Sequence, residues 1–347
     1  MVVFSSILFL LAAACLQAGD LPVPASGAAG SGDVLLTAVG DIRLDGFIGN
    51  LASRHKPSYP VELVADVLRK SDILYGNLEC PVTLGGRKLA KTWNFRAKPA
   101  GLKVLKAAGF QLVGLANNHV MDYGIPGLLD TLRYLKKANI LAVGAGENEQ
   151  QAAAMRILDK SGLKIGFLAF TSTLPREIWA KKNRPGVSYS NFQKAPHLIR
   201  KAKKRCDLLV VLFHGGEELA DEPNAVQKSF AKLAVESGAD LFIGHHPHVV
   251  QPVEIYKGKP ILYSLGNFLF LSPDPKTQDT IIAECLLQKE GVKTLTLHLV
   301  DLSRGRPRLL TDAARSMPLV QKLIGRLPKG CFKIYPAQSS LEIQIPK

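Results

Sequence analysis

Residues 208–248 read LLVVLFHGGEELADEPNAVQKSFAKLAVESGADLFIGHHPH and contain a strand, a helix and a second strand. The apolar runs Leu208–Phe213 and Leu241–Ile243 are typical of short buried strands. Between them, apolar residues recur at helical spacing. These residues are Val226, Phe230, Leu233 and Ala234. The order strand, helix, strand predicts a parallel sheet in an α/β protein.

The same alternation extends toward the N-terminus, and the sequence becomes strand-rich after Val253. Apolar runs predict strands at Val34–Val39, Ile73–Tyr75, Leu112–Leu115, Leu141–Val143 and Ile165–Phe170. Further strands are predicted at Val253–Tyr256, Pro260–Ser264, Thr280–Leu287 and Thr294–Val300. We therefore expect an α/β fold in which two sheets pack together and are flanked by helices.

Composition and charge narrow the class of protein. The 347 residues are 47% hydrophobic and 21% charged, which is typical of a folded protein and excludes wholesale disorder. Lys and Arg number 44 against 29 Asp and Glu, so the net charge is +15. Such a charge favours an anionic partner, while solubility or attraction to anionic lipid is the alternative. Nucleic acid is not predicted as a partner, because no nucleic-acid-binding module accompanies the charge.

The N-terminus predicts export. Residues 2–16 are almost wholly apolar and uncharged, with the length of a signal-peptide core rather than of a membrane span. We expect a signal peptide at residues 1–18 and a flexible tether at residues 19–32, and hence a periplasmic or cell-surface protein. A retained membrane anchor, or a lipid attached at Cys15, is the alternative.

The four later cysteines do not form a metal-binding motif. They are Cys80, Cys206, Cys285 and Cys331, and none is in C-x-x-C spacing. This excludes a zinc ribbon, while one or two disulfides stay open in an oxidising compartment.

Polar residues follow directly on the carboxyl ends of five predicted strands. They include Asp41, Glu79, Asn117, Asn118, His119, His214, His245, His246 and His248. In open α/β sheets these ends share one edge, where ligands bind. Carboxylate, amide and imidazole donors suit divalent Mn, Fe or Zn. Three histidines within four residues have no structural need, so the sequence predicts a metal site at this edge.

The ordered series of motifs resembles that of the CapA (PgsA) family of poly-γ-glutamate capsule proteins. The motifs are Gly40-Asp41, Gly76-Asn77-Leu78-Glu79, Asn117-Asn118-His119, Phe213-His214-Gly215-Gly216-Glu217, Gly244-His245-His246-Pro247-His248 and Tyr263-Ser264-Leu265-Gly266-Asn267-Phe268. CapA proteins are similar to calcineurin-like metallophosphoesterases. The resemblance covers roughly residues 33–270 and implies two stacked mixed β-sheets flanked by helices. We expect this domain at residues 33–300, with residues 301–347 as a C-terminal extension that packs on the same domain.

The resemblance also implies a site for one or two divalent ions. The implied ligands are Asp41, Glu79, Asn118, His214, His246 and His248, with Glu79 as the bridging carboxylate. His119 is implied to face the leaving group as a catalytic acid. Arg43 stands where phosphoesterases usually have a histidine ligand. Since a guanidinium cannot ligate a metal, we expect Arg43 to hold an anionic substrate oxygen.

Two functions are compatible with these features. The first is metal-dependent hydrolysis of a phosphoester or a γ-glutamyl amide during capsule biosynthesis or export. The alternative is a non-catalytic scaffold that binds an anionic polymer such as poly-γ-glutamate and helps to assemble or release it. In either case a membrane-bound synthetase complex is a candidate partner.

Overall fold

The computed structural model describes residues 32–335 and 339–346. The predicted signal peptide and all of the predicted tether except its last residue lie outside the described residues. In this part of the chain, the helices are too short or too polar to cross a bilayer.

Short strands alternate with helices through most of the described chain. The strands are β1 (Val34–Ile42), β2 (Ile73–Leu78), β3 (Leu112–Gly114), β4 (Leu141–Val143), β5 (Ala145–Gly146), β6 (Arg156–Lys160), β7 (Leu163–Thr171), β8 (Gly186–Val187), β9 (Leu208–His214), β10 (Leu241–His245), β11 (Val253–Tyr256), β12 (Lys259–Leu262), β13 (Asn267–Leu269), β14 (Asp279–Gln288), β15 (Gly291–Asp301), β16 (Arg308–Leu309), β17 (Phe332–Tyr335) and β18 (Ser340–Gln344). The α-helices are α1 (Gly46–Arg54), α2 (Ala65–Leu68), α3 (Leu102–Ala108), α4 (Gly124–Lys137), α5 (Glu149–Ala152), α6 (Ala195–Lys203), α7 (Ala225–Glu236) and α8 (Ala313–Ile324).

The strands form two large mixed sheets. The first has the order β17-β18-β15-β14-β1-β2-β3-β4, with β13 beside β1 and β16 beside β15. The second has the order β11-β12-β10-β9-β7-β6, and β5 and β8 form a small separate pair. Strand β1 is parallel to β2 and antiparallel to β14, whereas β9 is parallel to both β7 and β10.

Apolar side chains from the two sheets meet in a central layer. Leu36 and Tyr75 of the first sheet belong to the same buried cluster as Phe167, Val210 and Ile243 of the second. Burial of each such side chain contributes about 1.5–3 kcal/mol relative to exposure.

Helices cover the outer face of each sheet. Leu105 of α3 and Leu128 of α4 pack with Val113 of the first sheet. On the second sheet, the ring of Phe230 in α7 stacks on Phe213 of β9 at 5.0 Å between centroids. The fold class predicted from the sequence, an α/β protein with two stacked mixed β-sheets flanked by helices, is confirmed.

Several strands extend beyond their predicted apolar runs into the polar residues. Strand β1 continues through Asp41, where its pairing with β13 shifts register, and β9 and β10 end on His214 and His245. A Cβ at Gly40 would lie 2.0 Å from the carbonyl oxygen of Gly266, so only glycine permits this approach of the chains. Strand pairing therefore fixes the backbone of these polar positions.

The residues after Asp301 return to the first sheet. Strand β18 pairs antiparallel with β15, and its Leu341 and Ile343 join the central apolar layer. The boundary at residue 300 stays a prediction. All four of the cysteines beyond the N-terminal segment are free thiols in the described chain.

Candidate metal centre

His214 at the end of β9 lies at the middle of the candidate site. Its Nε2 is 3.3 Å from Glu79 Oε1, 2.8 Å from Asn118 Oδ1 and 3.1 Å from His246 Nδ1. His214, Glu79 and His246 are buried. Strand β9, the loop after β2, the loop after β3 and the loop after β10 thus deliver four predicted ligands to one point.

Asp41 joins the same site from β1. Its carboxylate lies 3.3 Å from His248 Nδ1 and 3.2 Å from His245 Nδ1, and Oδ2 accepts a 3.3 Å hydrogen bond from the backbone N–H of His246. All six predicted ligands are therefore brought together. His245 was not among the predicted ligands. Its Nε2 lies 3.0 Å from the Tyr75 hydroxyl while its Nδ1 contacts Asp41, so His245 connects Asp41 to the buried Tyr75.

Two groups of metal-ligating side chains share Glu79. Donor atoms of Glu79, His214 and His246 lie within 4.8 Å of one another, and so do those of Asp41, Glu79 and His248. Both carboxylate oxygens of Glu79 are buried and accept no hydrogen bond within the described residues. A buried carboxylate is normally paired or coordinates a metal. The donor set therefore fits a cation, with Glu79 common to both groups.

The pKa values of the Asp41 and Glu79 carboxyl groups are shifted in opposite directions. Burial raises the pKa of Asp41, but hydrogen bonds from His245 and His248 outweigh this and hold the pKa well below its usual value. Burial and the charge of Asp41 raise the pKa of Glu79 well above its usual value. Adjacent carboxylates resist joint ionisation, and a cation between them removes that conflict.

The histidines also differ in protonation. Burial and the neighbouring His246 lower the pKa of His214, and burial with the charge of His248 lowers the pKa of His246 to about 3. Burial opposes protonation of His248 too, but the Glu79 and Asp41 carboxylates raise its pKa to about 10. His214 and His246 are thus neutral at pH 7, the form in which imidazole ligates a metal, whereas His248 must release a proton to ligate one.

The loop after β10 holds its histidines in a strained backbone conformation. His246 has φ 98° and His248 has φ 60°, both in the left-handed region that non-glycine residues rarely adopt. Such strain costs about 1–3 kcal/mol per residue and concentrates at functional sites. In this conformation His246 belongs to the group with Glu79 and His214, and His248 belongs to the group with Asp41 and Glu79.

Three asparagines support the ligands, and sequence reasoning gave them no role. Asn77 Nδ2 donates to Asp41 Oδ1 at 2.8 Å and lies 3.2 Å from His214 Nδ1. Asn117 Nδ2 donates to Asn77 Oδ1 at 3.1 Å. On the other side, Asn267 Oδ1 lies 2.9 Å from His248 Nδ1. Asn77 and Asn117 were visible inside the quoted motifs, but amides there are also common turn formers.

His119 lies beside the ligands in a separate polar group. Its Nδ1 is 2.8 Å from Asp122 Oδ2, and Lys91 Nζ is 2.5 Å from Asp122 Oδ1 and 3.2 Å from the same His119 nitrogen. The His119 ring stacks on Phe95 at 4.2 Å. Burial lowers the pKa of His119, and Asp122 opposes that shift. Asp122 could have been noticed from its spacing of three residues, whereas nothing in the sequence signals Lys91.

Arg43 stays close to this group without touching the ligands. Its guanidinium lies 4.2 Å from the centroid of Phe95 and 5.3 Å from that of Phe270, and its Nε pairs with Asp45. The Phe95 ring therefore contacts both Arg43 and His119. The role of Arg43 as an anchor for a substrate anion stays a prediction.

Comparison with known proteins agrees with the motif series. The family model described as bacterial capsule synthesis protein PGA_cap matches residues 35–272, which include all of the ligand loops. The chain belongs to this capsule synthesis family. The CapA resemblance predicted from the sequence is thereby confirmed.

Relatives of this PGA_cap family member include two CapA proteins. The chain is 34% identical to the capsule biosynthesis protein CapA of Bacillus anthracis, over 86% of this chain and 74% of that protein. It is 33% identical to the PGA biosynthesis protein CapA of Bacillus subtilis (strain 168), over 91% of this chain and 84% of that protein.

Among solved structures, Haemophilus influenzae NAD nucleotidase (NadN) aligns with this PGA_cap family member at a TM-score of 0.47 and 15% identity. The alignment covers 84% of this chain and 56% of that one. Similarity of this degree carries no argument about function.

Proposed function

We propose that this chain is an exported, metal-dependent hydrolase of capsule biosynthesis or export that acts on a phosphoester or a γ-glutamyl amide. The observation that carries the proposal is Glu79, a buried carboxylate with both oxygens unbonded, which lies within reach of two sets of ligands. A charge in that position without a cation is costly to bury. Membership of a capsule synthesis family supplies the biological setting.

The ligands divide into two positions. Glu79, His214, His246 and the Asn118 amide oxygen would hold one divalent ion, and Asp41, Glu79 and His248 would hold the other. Nitrogen and oxygen donors of this kind suit Mn, Fe or Zn. A divalent ion bound there supplies Lewis acidity and lowers the pKa of water. Arg43 adds no donor, so the second position has fewer protein ligands than the first.

In this proposal, His119 donates the proton to the leaving group. Asp122 occupies the Nδ1 side of its ring, so the opposite nitrogen is the one available to a substrate. Lys91 pairs with the other carboxylate oxygen of Asp122 and so holds Asp122 in position. Stacking on Phe95 holds the plane of the His119 ring. A general acid held in this way contributes about 10²–10⁴-fold to a rate.

Metal analysis and hydrolysis assays test this proposal together. The purified protein should retain a divalent metal after dialysis and hydrolyse either a phosphodiester or a γ-glutamyl amide. His119→Ala should keep the metal and lose about 100-fold or more of the hydrolysis. His197→Ala, at an exposed position on α6, is the matched control and should keep both. A protein that retains no metal contradicts the proposal.

The net charge of +15 favours a second candidate function, a polyanion-binding scaffold. A scaffold binds polyglutamate in a salt-sensitive way, and its binding survives His119→Ala. If the protein retains metal and binds polymer but hydrolyses neither substrate, the scaffold is the better account.

A further inference from the structure

A second cleft lies on the same sheet edge as the metal centre. It is formed after β7, whose last residue Thr171 pairs in register with His214. The backbone N–H of Ser172 also donates to the His214 carbonyl at 3.1 Å. The cleft has a volume of about 460 Å³ and is lined by residues of 149–153 and 176–198. This volume lies within the range of small-ligand sites.

The lining carries more positive than negative charge. Its basic residues are Arg176, Lys181, Arg184 and Lys194, and its acidic residues are Glu149 and Glu177. Lys194 pairs with Glu149 at 2.6 Å. The remaining charged residues of the lining are three cations, Arg176, Lys181 and Arg184, and one anion, Glu177. None of the three cations makes an ion pair within residues 32–335 and 339–346.

Arg184 is the most constrained of these cations. Its Nη2 donates to the Trp179 carbonyl at 2.9 Å, while its Nε is buried and has no hydrogen-bond partner among the described residues. A buried guanidinium N–H is normally satisfied. The planar fork of arginine matches the two oxygens of a carboxylate.

A rigid aromatic pair stands beside the cations. The rings of Trp179 and Tyr189 stack at 3.7 Å between centroids, and the Arg176 guanidinium lies 5.7 Å from the Trp179 ring. Trp179 Nε1 donates to the Thr173 carbonyl at 2.9 Å, which fixes the indole. Tyr189 is 39% exposed. The cleft thus offers an apolar surface for methylene groups next to donors for carboxylates.

We infer that this cleft binds a short segment of a polymer with carboxylate side chains and holds that polymer beside the metal centre. Arg176, Lys181 and Arg184 contact the carboxylates, and Trp179 with Tyr189 contacts the aliphatic part. A polyphosphate chain has charge but no methylene groups for the aromatic pair. The choice of polyglutamate as the polymer rests on the proposed function.

Fluorescence of Trp179 reports binding directly. The chain has two tryptophans, and the other, Trp93, is exposed, so Trp93→Phe leaves Trp179 as the single reporter. In this background, poly-γ-glutamate should cause a saturable change that weakens as salt is added. Arg176→Gln with Lys181→Gln removes two exposed cations and should raise the Kd about tenfold.

A matched variant removes the same charge elsewhere. Lys103→Gln with Lys106→Gln, both exposed on α3, should change the Kd less than about twofold. Glu79→Gln, at the metal centre, should raise the Kd less than the Arg176 and Lys181 pair does. The inference is wrong if the Arg176 and Lys181 pair behaves like the α3 pair, or if polyphosphate binds as tightly as polyglutamate.

The two proposals fail in different ways. If Glu79→Gln loses polymer binding while the Arg176 and Lys181 variant keeps it, the polymer binds at the metal centre. The cleft proposal is then wrong, and the hydrolase proposal is unaffected. Polymer binding in the cleft by a protein that retains no metal overturns the hydrolase and supports the cleft.

Discussion

At the scale of single residues, Glu79 has the largest expected effect on metal binding because both ligand groups need its carboxylate. Glu79→Gln should therefore lose all tightly bound metal, whereas His214→Ala should lose only the ion of its own group, about half of the total. Metal content after dialysis measures both outcomes, with His197→Ala as the control. Full metal retention by Glu79→Gln would show that Glu79 is not a ligand common to both groups.

Asn77 is expected to act on metal affinity without being a ligand. Its amide donates to Asp41 and contacts His214, so it orients one ligand of each group. Loss of such a supporting contact typically weakens metal binding about 10–100-fold. Titration calorimetry of Asn77→Ala measures this change, and the exposed Asn50→Ala on α1 should bind metal like the natural protein. Equal affinities for the two variants would exclude a supporting role for Asn77.

Some site residues were predictable from sequence because their position relative to a strand is local information. Asp41 and His214 follow apolar runs directly, and parallel strands align such ends. Lys91 was not predictable, because it lies in a long polar loop and reaches Asp122 only through the tertiary fold. Asn77 was part of a quoted motif, but its role was not predictable, because its contacts with Asp41 and His214 arise only in the tertiary fold.

At the scale of elements, Asp301 connects the end of β15 to β16 and α8. The buried carboxylate accepts hydrogen bonds from Arg308 Nε at 2.7 Å, Ser303 N at 2.9 Å and Arg315 Nη2 at 3.0 Å. Burial alone raises the pKa of Asp301, but these hydrogen bonds lower it to about 2. In the unfolded chain the pKa of an aspartate is about 3.9.

The sign of this difference predicts how stability depends on pH. A lowered native pKa stabilises the fold above about pH 4, and this stabilisation, about 2 kcal/mol, is lost as the pH falls toward 2. Asp301→Asn should lose about that amount at pH 7 and show a flatter stability profile between pH 4 and 2. Denaturant unfolding at several pH values checks this. Asp66→Asn, in an exposed pair with Arg69, should change stability by less than about 1 kcal/mol.

Element prediction succeeded where strands are fully buried and failed at the edges. The run Leu208–Phe213 differs from β9 by a single residue, because six consecutive apolar residues of this kind leave few alternatives. Strands β17 and β18 at the far edge of the first sheet are only four and five residues long, and β17 contains no fully buried residue. So short a pattern does not separate a strand from a loop.

At the scale of the whole molecule, the arrangement of strands depends on contacts between distant segments. Strands β14 and β15 extend the first sheet beyond β1, although residues 144–278 separate β4 from β14 in the chain. Most of the intervening strands form the second sheet. The stacking of two sheets was predictable from the number of buried strands. The choice of neighbour for each strand was not, since it is decided by the packing of the central layer.

Because the candidate metal centre joins strand ends of both sheets, a bound metal should stabilise the entire fold. Asp41 and Glu79 come from the first sheet, whereas His214 and the β10 loop come from the second. A ligand at 100 times its Kd adds about 2.7 kcal/mol to stability. For a chain of this size that corresponds to a rise of about 4 °C in Tm.

Thermal unfolding with and without divalent metal measures this rise. Glu79→Gln should show no metal-dependent shift, because it lacks the carboxylate common to both groups, while His197→Ala should shift like the natural protein. A shift of equal size in Glu79→Gln would mean that the stabilising ion binds elsewhere, since Glu79 belongs to both ligand groups at the strand ends.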